Sequence, residues 1–266
     1  MSTRKSKIFD CFCFFNELEL LELRLMELSD IVDFFVIAEA NKTFVGNNKE
    51  FIFEKNKRKF KKYLNKIIYV KVTDLPSPTP ENVWIAEHFQ RNAISRGLEK
   101  AAAKGDKILL SDVDEIPNTK AIRENLTNPN RIVFKQSLYY YYVNCKVNRD
   151  WGGTTMATYG TFPSPQRLRN STHRHSFGVY PNGGWHYSYL TGDCPERVTY
   201  KTKNLVHFLE GYNFVTDDYA AQRIKNFKDL YGRQRRTYQM QIVDISHDKP
   251  KSMDEFLKKY PQFFYK

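Results

Sequence analysis

A short apolar run that ends in three carboxylates constrains the fold of this chain more than any other feature. Residues 107–117 read KILLSDVDEIP, so an unbroken apolar stretch is followed at once by Asp112, Asp114 and Glu115. Such a run predicts a strand buried on both faces, which is typical of parallel sheets covered by helices. Ligands bind at the carboxyl ends of such strands, where clustered carboxylates suit Mg²⁺ or Mn²⁺ holding a phosphate. The run therefore predicts nucleotide-diphosphate chemistry, although a solvated turn before Pro117 also fits the motif alone.

The first half of the chain alternates between predicted strands and predicted helices. The elements are a strand at 8–15, a helix at 16–28, a strand at 33–40, a basic helix near 54–64, a strand at 66–72 and a long helix at 81–104. The helices are assigned from apolar residues spaced three and four apart, and the strands from short apolar runs. This alternation predicts an α/β fold with a parallel, doubly wound sheet.

The second half is predicted to contain more loops. Further β structure is expected at 131–145, but residues 151–193 are rich in Gly, Ser, Thr, Tyr and His and predict loops. A strand is expected at 199–208, and helices are expected at 217–231 and 253–264. Acceptor sites are commonly built from loops on a rigid scaffold.

Composition narrows the class of partner without selecting one. The net charge of +12 predicts attraction to anions such as nucleic acid, acidic membrane surfaces or phosphorylated small molecules. Two basic segments, 55–62 and 233–236, are interpreted as solvated helix faces or ends, and His173 and His175 as exposed loop residues. The four cysteines contain no Cys-x-x-Cys, which argues against structural zinc. Because no segment reads as a signal peptide or membrane span, a soluble cytoplasmic protein is expected.

Four stretches, taken in order, resemble glycosyltransferase family 17 and in particular its bacterial and viral members. They are FDCFCFFNE at 9–17, FVIAEANKT at 35–43, HFQRNAI at 88–94 with LSDVDEIP at 110–117, and GGWHYSY at 183–189. The resemblance extends over about residues 8–215. It implies a GT-A type fold, with a Rossmann-like mixed sheet flanked by helices, and inversion at the anomeric carbon. It also implies a single domain at 1–266, in which about 8–120 binds a UDP-sugar, UDP-N-acetylglucosamine, and about 121–266 binds the acceptor.

Five residues are predicted to contact the donor. Glu39 closes the second strand, where it can accept a hydrogen bond from the nucleoside, although a helix cap or surface acid is equally possible. The Arg91 guanidinium offers a charged fork for phosphate, and in nucleotide-sugar transferases an Arg-Asn pair such as Arg91 and Asn92 faces the nucleotide. Asp112 would orient the ribose or the water shell of a metal. Trp185 follows two glycines and would stack on a sugar face.

The predicted metal ligands for Mn²⁺ or Mg²⁺ are Asp112, Asp114, His186 and His207. Asp114 would ligate the cation that bridges the diphosphate, where it acts as a Lewis acid on the leaving group. His207 is included because relatives carry a histidine in the corresponding place. A purely structural role remains open for each histidine, and Glu115 either binds metal or caps the turn.

Inversion requires a base that takes the proton of the acceptor hydroxyl, and a carboxylate is the usual solution. Asp193 and Glu196 follow the Gly-Gly-Trp-His stretch and are the candidates. The expected acceptor is a glycan, a lipid-linked saccharide or a protein. Two alternatives remain: the same chemistry on hydroxylated bases of DNA, guided by the positive charge, and a non-catalytic carbohydrate- or nucleic-acid-binding protein.

Overall fold

The computed structural model describes residues 4–170, 177–233 and 238–266. His173, His175 and most of the basic segment 233–236 lie outside these residues. The strands in the described part are β1 (Ile8–Phe14), β2 (Phe34–Ala40), β3 (Ile67–Val72), β4 (Lys107–Asp112), β5 (Glu115–Pro117), β6 (Ile132–Tyr140), β7 (Cys145–Thr158), β8 (Gly178–Ser188) and β9 (Met240–Ile242). The α-helices are α1 (Leu18–Leu28), α2 (Ile52–Asn56), α3 (Ile85–Asn92), α4 (Ser95–Ala101), α5 (Thr119–Glu124), α6 (Pro165–Asn170), α7 (Pro195–Asn204), α8 (Val206–Leu209), α9 (Asp217–Lys225) and α10 (Met253–Lys259). Two 3₁₀ helices follow α2 and α10, at Lys57–Lys66 and Pro261–Phe263.

The described strands form one mixed sheet in the order β3-β2-β1-β4-β7-β6-β8-β5, with β9 paired to β7. Strands β3, β2, β1 and β4 are parallel, as the alternating pattern of the first half predicts. Beyond β4 the sheet changes character, because β7 runs antiparallel to both β4 and β6, and β5 runs antiparallel to β8. The prediction of an α/β fold with a mixed sheet flanked by helices is confirmed, whereas a purely parallel sheet is wrong for the second half.

Helices cover both faces of the parallel half because the strands are apolar on both faces. Along β1, Phe12 packs in the cluster that contains Leu25 of α1, while its neighbour Cys11 packs in the cluster that contains Leu98 of α4. Strand β4 is buried as far as Ser111, and Asp112 is its first partly exposed residue. The predicted buried strand is therefore confirmed, and its carboxyl end is where polar side chains emerge.

The predicted helix at 81–104 is two helices, α3 and α4, because its two parts are held by different contacts. Near the end of α3, the Gln90 amide donates to the backbone oxygens of Phe14 and Ala38 at the strand ends. In α4, Gly97 lies so close to the sheet that a Cβ atom there would be 2.7 Å from a methyl carbon of Val36. A turn at Ala93 and Ile94 separates the two helices.

The loop prediction for 151–193 is wrong, because much of this segment belongs to β7 and β8. Its glycines serve close strand packing: a Cβ atom on Gly153 would lie 1.9 Å from the Gln136 amide oxygen, and one on Gly183 would lie 2.4 Å from Cβ of Phe134. The strand predicted at 199–208 is also wrong. That segment is helical, with Val198 and Thr202 buried one turn apart on α7.

In the part of the chain that the structure describes, no helix has the length and apolar character needed to cross a membrane.

Candidate active site

A cleft of about 400 Å³ opens at the carboxyl ends of β1 and β4 and is bounded on the other side by the second half of the chain. Polar side chains from both halves face it. Those that matter for its chemistry are Glu17, Glu87, His88, Arg91, Asp112, Asp114, Arg169, His186, Lys201, His207 and Arg233. Of the predicted donor and metal residues, the cleft thus brings together Arg91, Asp112, Asp114, His186 and His207.

The backbone of the acidic motif is held in place by Arg24 of α1, a residue that is fully buried. Its guanidinium forms a double hydrogen bond with the Asp10 carboxylate, at 2.7 and 2.6 Å. The same group donates to the backbone oxygens of Asp112, Val113 and Glu115, at 2.9, 3.2 and 2.9 Å. Since one rigid guanidinium satisfies three carbonyls of the turn, the direction in which the motif side chains leave the backbone is fixed.

Asp112 is engaged by two arginines. One carboxylate oxygen accepts from Arg91 at 3.3 Å and the other from Arg169 at 2.9 Å. Burial favours a higher pKa for Asp112, but the charges of Arg169 and Arg91 outweigh it and hold the pKa below its usual value. Asp112 is therefore ionised at neutral pH, and its role is to position two guanidinium groups at the cleft.

Asp114 lies between Lys201 and His186. The Lys201 ammonium is 3.3 Å from one Asp114 oxygen and 2.9 Å from Glu17, and Nε2 of His186 is 3.6 Å from the other Asp114 oxygen. Burial works to raise the pKa of Asp114, but Lys201 and His186 bring it well below the usual range. The pairing of Glu115 with His186 across β5 and β8 sets this geometry.

Glu115 resolves one alternative that the sequence left open. It is buried, and one of its carboxylate oxygens accepts from the backbone N–H of Asp112 at 3.0 Å. Its other oxygen accepts from Nε1 of Trp151 and from Arg169, both at 2.6 Å. Glu115 therefore caps the turn and orients Arg169, and does not face the cleft as a metal ligand.

The predicted set of four metal ligands does not form one cluster. Among the described residues, no three His, Cys, Asp or Glu side chains converge as a metal site. Asp112 is occupied by arginines, and Nδ1 of His207 is 2.7 Å from Glu210. Asp114 and His186 remain adjacent, and the buried Nδ1 of His186 has no hydrogen-bond partner in the described part of the chain. A cation here would have at most two protein ligands, which suits one whose remaining positions are filled by phosphate oxygens and water.

Three residues predicted to contact the donor lie outside the lining of the cleft. The Glu39 carboxylate is fully buried and accepts from Lys49, from the backbone N–H groups of Ile52 and Phe53, and from the Tyr69 hydroxyl. It therefore caps the start of α2, which was the alternative interpretation. Each of the other two is held by a hydrogen bond within the protein: the Asn92 side chain accepts from the backbone N–H of Gln166, and the Trp185 indole donates to Asp248.

Neither predicted catalytic base faces the cleft. Asp193 is exposed and accepts a hydrogen bond from the Tyr142 hydroxyl, and Glu196 is exposed with the Cys194 thiol 3.4 Å away. Asp193 lies just before α7, and Glu196 lies in its first turn. The helix carries Lys201 into the cleft in their place.

Glu39→Gln is expected to lower stability without changing donor affinity. The substitution removes the charge that pairs with buried Lys49 and replaces one acceptor oxygen by an NH₂ group that faces other donors. We expect a loss of about 2–3 kcal/mol in the free energy of unfolding, measured by urea denaturation. Nucleotide affinity, measured by titration calorimetry below the unfolding transition, should match that of the unsubstituted protein. A selective loss of affinity would return Glu39 to the donor site.

Comparison with known proteins agrees with this arrangement of motifs. Glycosyltransferase family 17 matches residues 1–241, which is most of the chain. The chain belongs to glycosyltransferase family 17. The resemblance inferred from the four motifs is thus confirmed, as is the prediction of a glycosyltransferase at the level of the family. The match includes every cleft residue named above.

The sequence identity between this chain and individual relatives is low. The human and rat β-1,4-mannosyl-glycoprotein 4-β-N-acetylglucosaminyltransferases are each 27% identical over 137 residues, and the mouse enzyme is 26% identical. The aligned segment is 48% of this chain and 26% of each relative. The family 17 chain therefore corresponds to only about a quarter of the length of these relatives.

A solved structure shows a weaker similarity. The inositol-1-phosphate CTP transferase from T. maritima superposes with a TM-score of 0.40 and 10% identity, over 77% of this chain and 96% of that one. At that TM-score the similarity does not establish a shared fold. The family match and the relatives support glycosyl transfer, and they give no support to a DNA acceptor.

Proposed function

We propose that this family 17 protein is a metal-dependent, inverting glycosyltransferase that moves N-acetylglucosamine from a UDP-sugar to a hydroxyl of a glycan, lipid-linked or protein acceptor. The observation that carries the proposal is the cluster at the end of β4, where Asp112 and Asp114 meet Arg91, Arg169 and Lys201 in one cleft. Its acids and cations are what a nucleotide diphosphate bridged by a metal requires.

The diphosphate would be held by the cations. Arg91 and Arg169 are nearly buried, with 5% and 12% of their side chains exposed, and both are oriented by Asp112. The Nε atom of Arg91 is buried and has no hydrogen-bond partner in the described part of the chain. Guanidinium groups bind phosphate through paired N–H donors, and a partly dry site strengthens that attraction. Lys201 would supply a further positive charge near the leaving group.

We propose Asp114, with His186, as the protein ligands of Mg²⁺ or Mn²⁺. When bound, the cation would supply Lewis-acid stabilisation of the diphosphate as it leaves. The fit rests on the Asp114 carboxylate and Nε2 of His186, which lie 3.6 Å apart. Asp112 would act beside this pair by positioning the arginines.

We keep as a proposal a GT-A type arrangement with the donor in residues 8–120 and the acceptor in 121–266. The first half contributes Arg91 and both acids to the cleft, and the second half contributes Arg169, His186, Lys201 and His207, so the diphosphate would be held from both halves. The names of the relatives specify N-acetylglucosamine as the sugar that they transfer and a mannosyl-glycoprotein as their acceptor. This chain aligns with only about a quarter of the length of those proteins. We therefore propose the same transferred sugar for this chain and do not restrict its acceptor to a mannosyl-glycoprotein.

Titration calorimetry with UDP-N-acetylglucosamine in Mn²⁺, in Mg²⁺ and in EDTA tests the donor and the metal separately. We expect binding that tightens at least tenfold when either cation is present, and weaker binding of GDP-mannose. Equal affinity in EDTA would contradict metal dependence while leaving the transferase intact. Absence of binding to every nucleotide sugar would overturn the proposed function.

The acceptor is tested with a panel of p-nitrophenyl glycosides and a core N-glycan glycopeptide, with products identified by mass spectrometry. Inversion predicts that an α-linked donor sugar becomes β-linked in the product, which proton NMR detects. An α-linked product would contradict inversion.

A further inference from the structure

A second group of side chains lies at the cleft apart from the acids and arginines described above. Its centre is His207 of α8, with Glu210 directly after the end of that helix and Trp84 in contact with the imidazole ring. The Glu210 carboxylate bridges the other two: one oxygen is 2.7 Å from Nδ1 of His207, and the other accepts from Nε1 of Trp84 at 3.0 Å. The rings of Tyr231 and Tyr212 stand edge-on to the imidazole, with centroids 5.2 and 6.0 Å away.

We propose that His207 is the general base of the transfer reaction, that Glu210 positions it, and that Trp84 forms part of the surface on which the acceptor sugar rests. This inference rests on the proposed function, since it names the acceptor side of the same reaction.

The contact with Glu210 selects the tautomer of the neutral imidazole. A carboxylate only accepts hydrogen bonds, so in that tautomer Nδ1 of His207 carries the proton and Nε2 presents a lone pair. The same carboxylate stabilises the imidazolium that forms when Nε2 takes a proton. The His207 side chain is 40% exposed and lines the cleft, so an acceptor hydroxyl can reach it.

The carboxylates that line the cleft in the described part of the chain are poorer bases because each is paired with a cation. Glu17 and Asp114 contact Lys201, and Glu87 contacts Arg91. Asp112 contacts two arginines, as described above. A cation next to a carboxylate lowers the pKa of that carboxylate and so weakens it as a base. If the carboxylate took a proton, the cation that binds the diphosphate would also lose the partner that holds it in place.

The other cleft histidines have different surroundings. Burial and the nearby charge of Arg91 lower the pKa of His88, which disfavours the imidazolium that a base must form. His186 faces Asp114 through Nε2 and belongs to the donor side. His207 is the cleft histidine whose Nδ1 contacts a carboxylate and whose side chain is also accessible from the cleft.

Aromatic rings around His207 fit a sugar acceptor. Trp84 lies edge-on to the imidazole at 5.7 Å, and its indole is fixed by Glu210 on one side and by the ring of His88 on the other, at 6.2 Å. An indole held in this way offers an apolar face to the C–H groups of a sugar while its polar edge is already satisfied.

The step balances without a further reactant. The acceptor oxygen forms a bond to the anomeric carbon as its proton passes to Nε2 of His207. The bond between that carbon and the diphosphate oxygen breaks on the opposite face, and UDP leaves with the electron pair. The imidazolium then returns its proton to solvent.

Kinetics of His207→Gln test the assignment, with His247→Gln as the matched control because His247 is exposed and lies outside the cleft lining. The assay follows release of UDP from UDP-N-acetylglucosamine with the best acceptor of the panel. If the protein transfers to no acceptor of the panel, water serves as the acceptor. We expect kcat of His207→Gln to fall by about 10²–10⁴-fold, with the dissociation constant of UDP in Mn²⁺ changed less than threefold. The control should retain full activity.

Three further measurements separate a base from other roles. Imidazole added to His207→Gly should restore part of the lost rate, which a merely structural histidine would not allow. Glu210→Gln should lower kcat by about 10–100-fold while UDP affinity is kept, and Trp84→Leu should raise the KM of the acceptor about tenfold.

The inference is overturned if His207→Gln retains more than a third of the activity, or if imidazole gives no rescue. A tenfold or larger loss of metal-dependent UDP affinity in His207→Gln would make His207 a metal ligand and would also overturn it. Failure of the unsubstituted protein to bind or cleave any nucleotide sugar would instead mark a failure of the proposed function.

Discussion

Replacing Asp114 by asparagine is expected to lower sugar transfer by about 10²–10³-fold, because it removes the carboxylate that we propose holds the cation beside the leaving group. The Asp114 side chain is only 10% exposed and contacts both Lys201 and His186. Asparagine keeps the size of the side chain but cannot pair with the ammonium or ligate a cation as a carboxylate does. The measurement is kcat with UDP-N-acetylglucosamine at saturating Mn²⁺.

Asp193→Asn provides the matched control, since it makes the same chemical change at an exposed position outside the cleft lining. It should leave kcat unchanged. Calorimetry should show that Asp114→Asn binds UDP with an affinity that no longer depends on Mn²⁺. If Asp114→Asn and the control are equally active, Asp114 has no role in the chemistry.

Arg24→Met is expected to cost about 3–5 kcal/mol in the free energy of unfolding, which is the usual consequence of removing one partner from a buried ion pair. The substitution leaves the Asp10 carboxylate buried without a counter-charge and removes donors from three backbone carbonyls of the acidic motif. Methionine fills a similar volume, so the loss reflects charge and hydrogen bonding more than an empty cavity. Urea denaturation followed by circular dichroism measures it.

Arg96→Met is the matched control, because Arg96 forms a similar double hydrogen bond with Asp74 at the surface. An exposed pair contributes about 0–1 kcal/mol. Adding Asp10→Asn to Arg24→Met should recover part of the loss, since it removes the unpaired charge but not the unsatisfied carbonyls. A loss for Arg24→Met no larger than that of the control would mean that the buried pair does not stabilise the acidic motif.

The parallel half of the fold could be predicted because its information is local. The apolar run before Asp112 specifies a buried strand, and the spacing of the leucines specifies α1. The second half was predicted poorly because the glycines at 153 and 183 read as loop residues, whereas they allow strands to pack against Gln136 and Phe134. That role depends on a partner distant in sequence.

The same distinction applies to the site. Arg91, Asp112, Asp114 and His186 stand in recognisable motifs, His207 was predicted from the resemblance to relatives, and all five reach the cleft. The cations that complete it, Arg169 and Lys201, lie in segments without a motif, and only the tertiary fold brings them to the acids. Arg24 reads as an ordinary polar position on an amphipathic helix, and nothing in the sequence pattern indicates that it is buried.

The hold of Arg24 on the turn also restricts how the acidic motif can change. The backbone carbonyls of Asp112, Val113 and Glu115 all contact one nitrogen of a rigid guanidinium. These contacts involve backbone atoms, so they are indifferent to which side chain stands at each position but sensitive to the number of residues between them. The motif therefore tolerates substitution far better than insertion or deletion, and its length is a more constrained property than its composition.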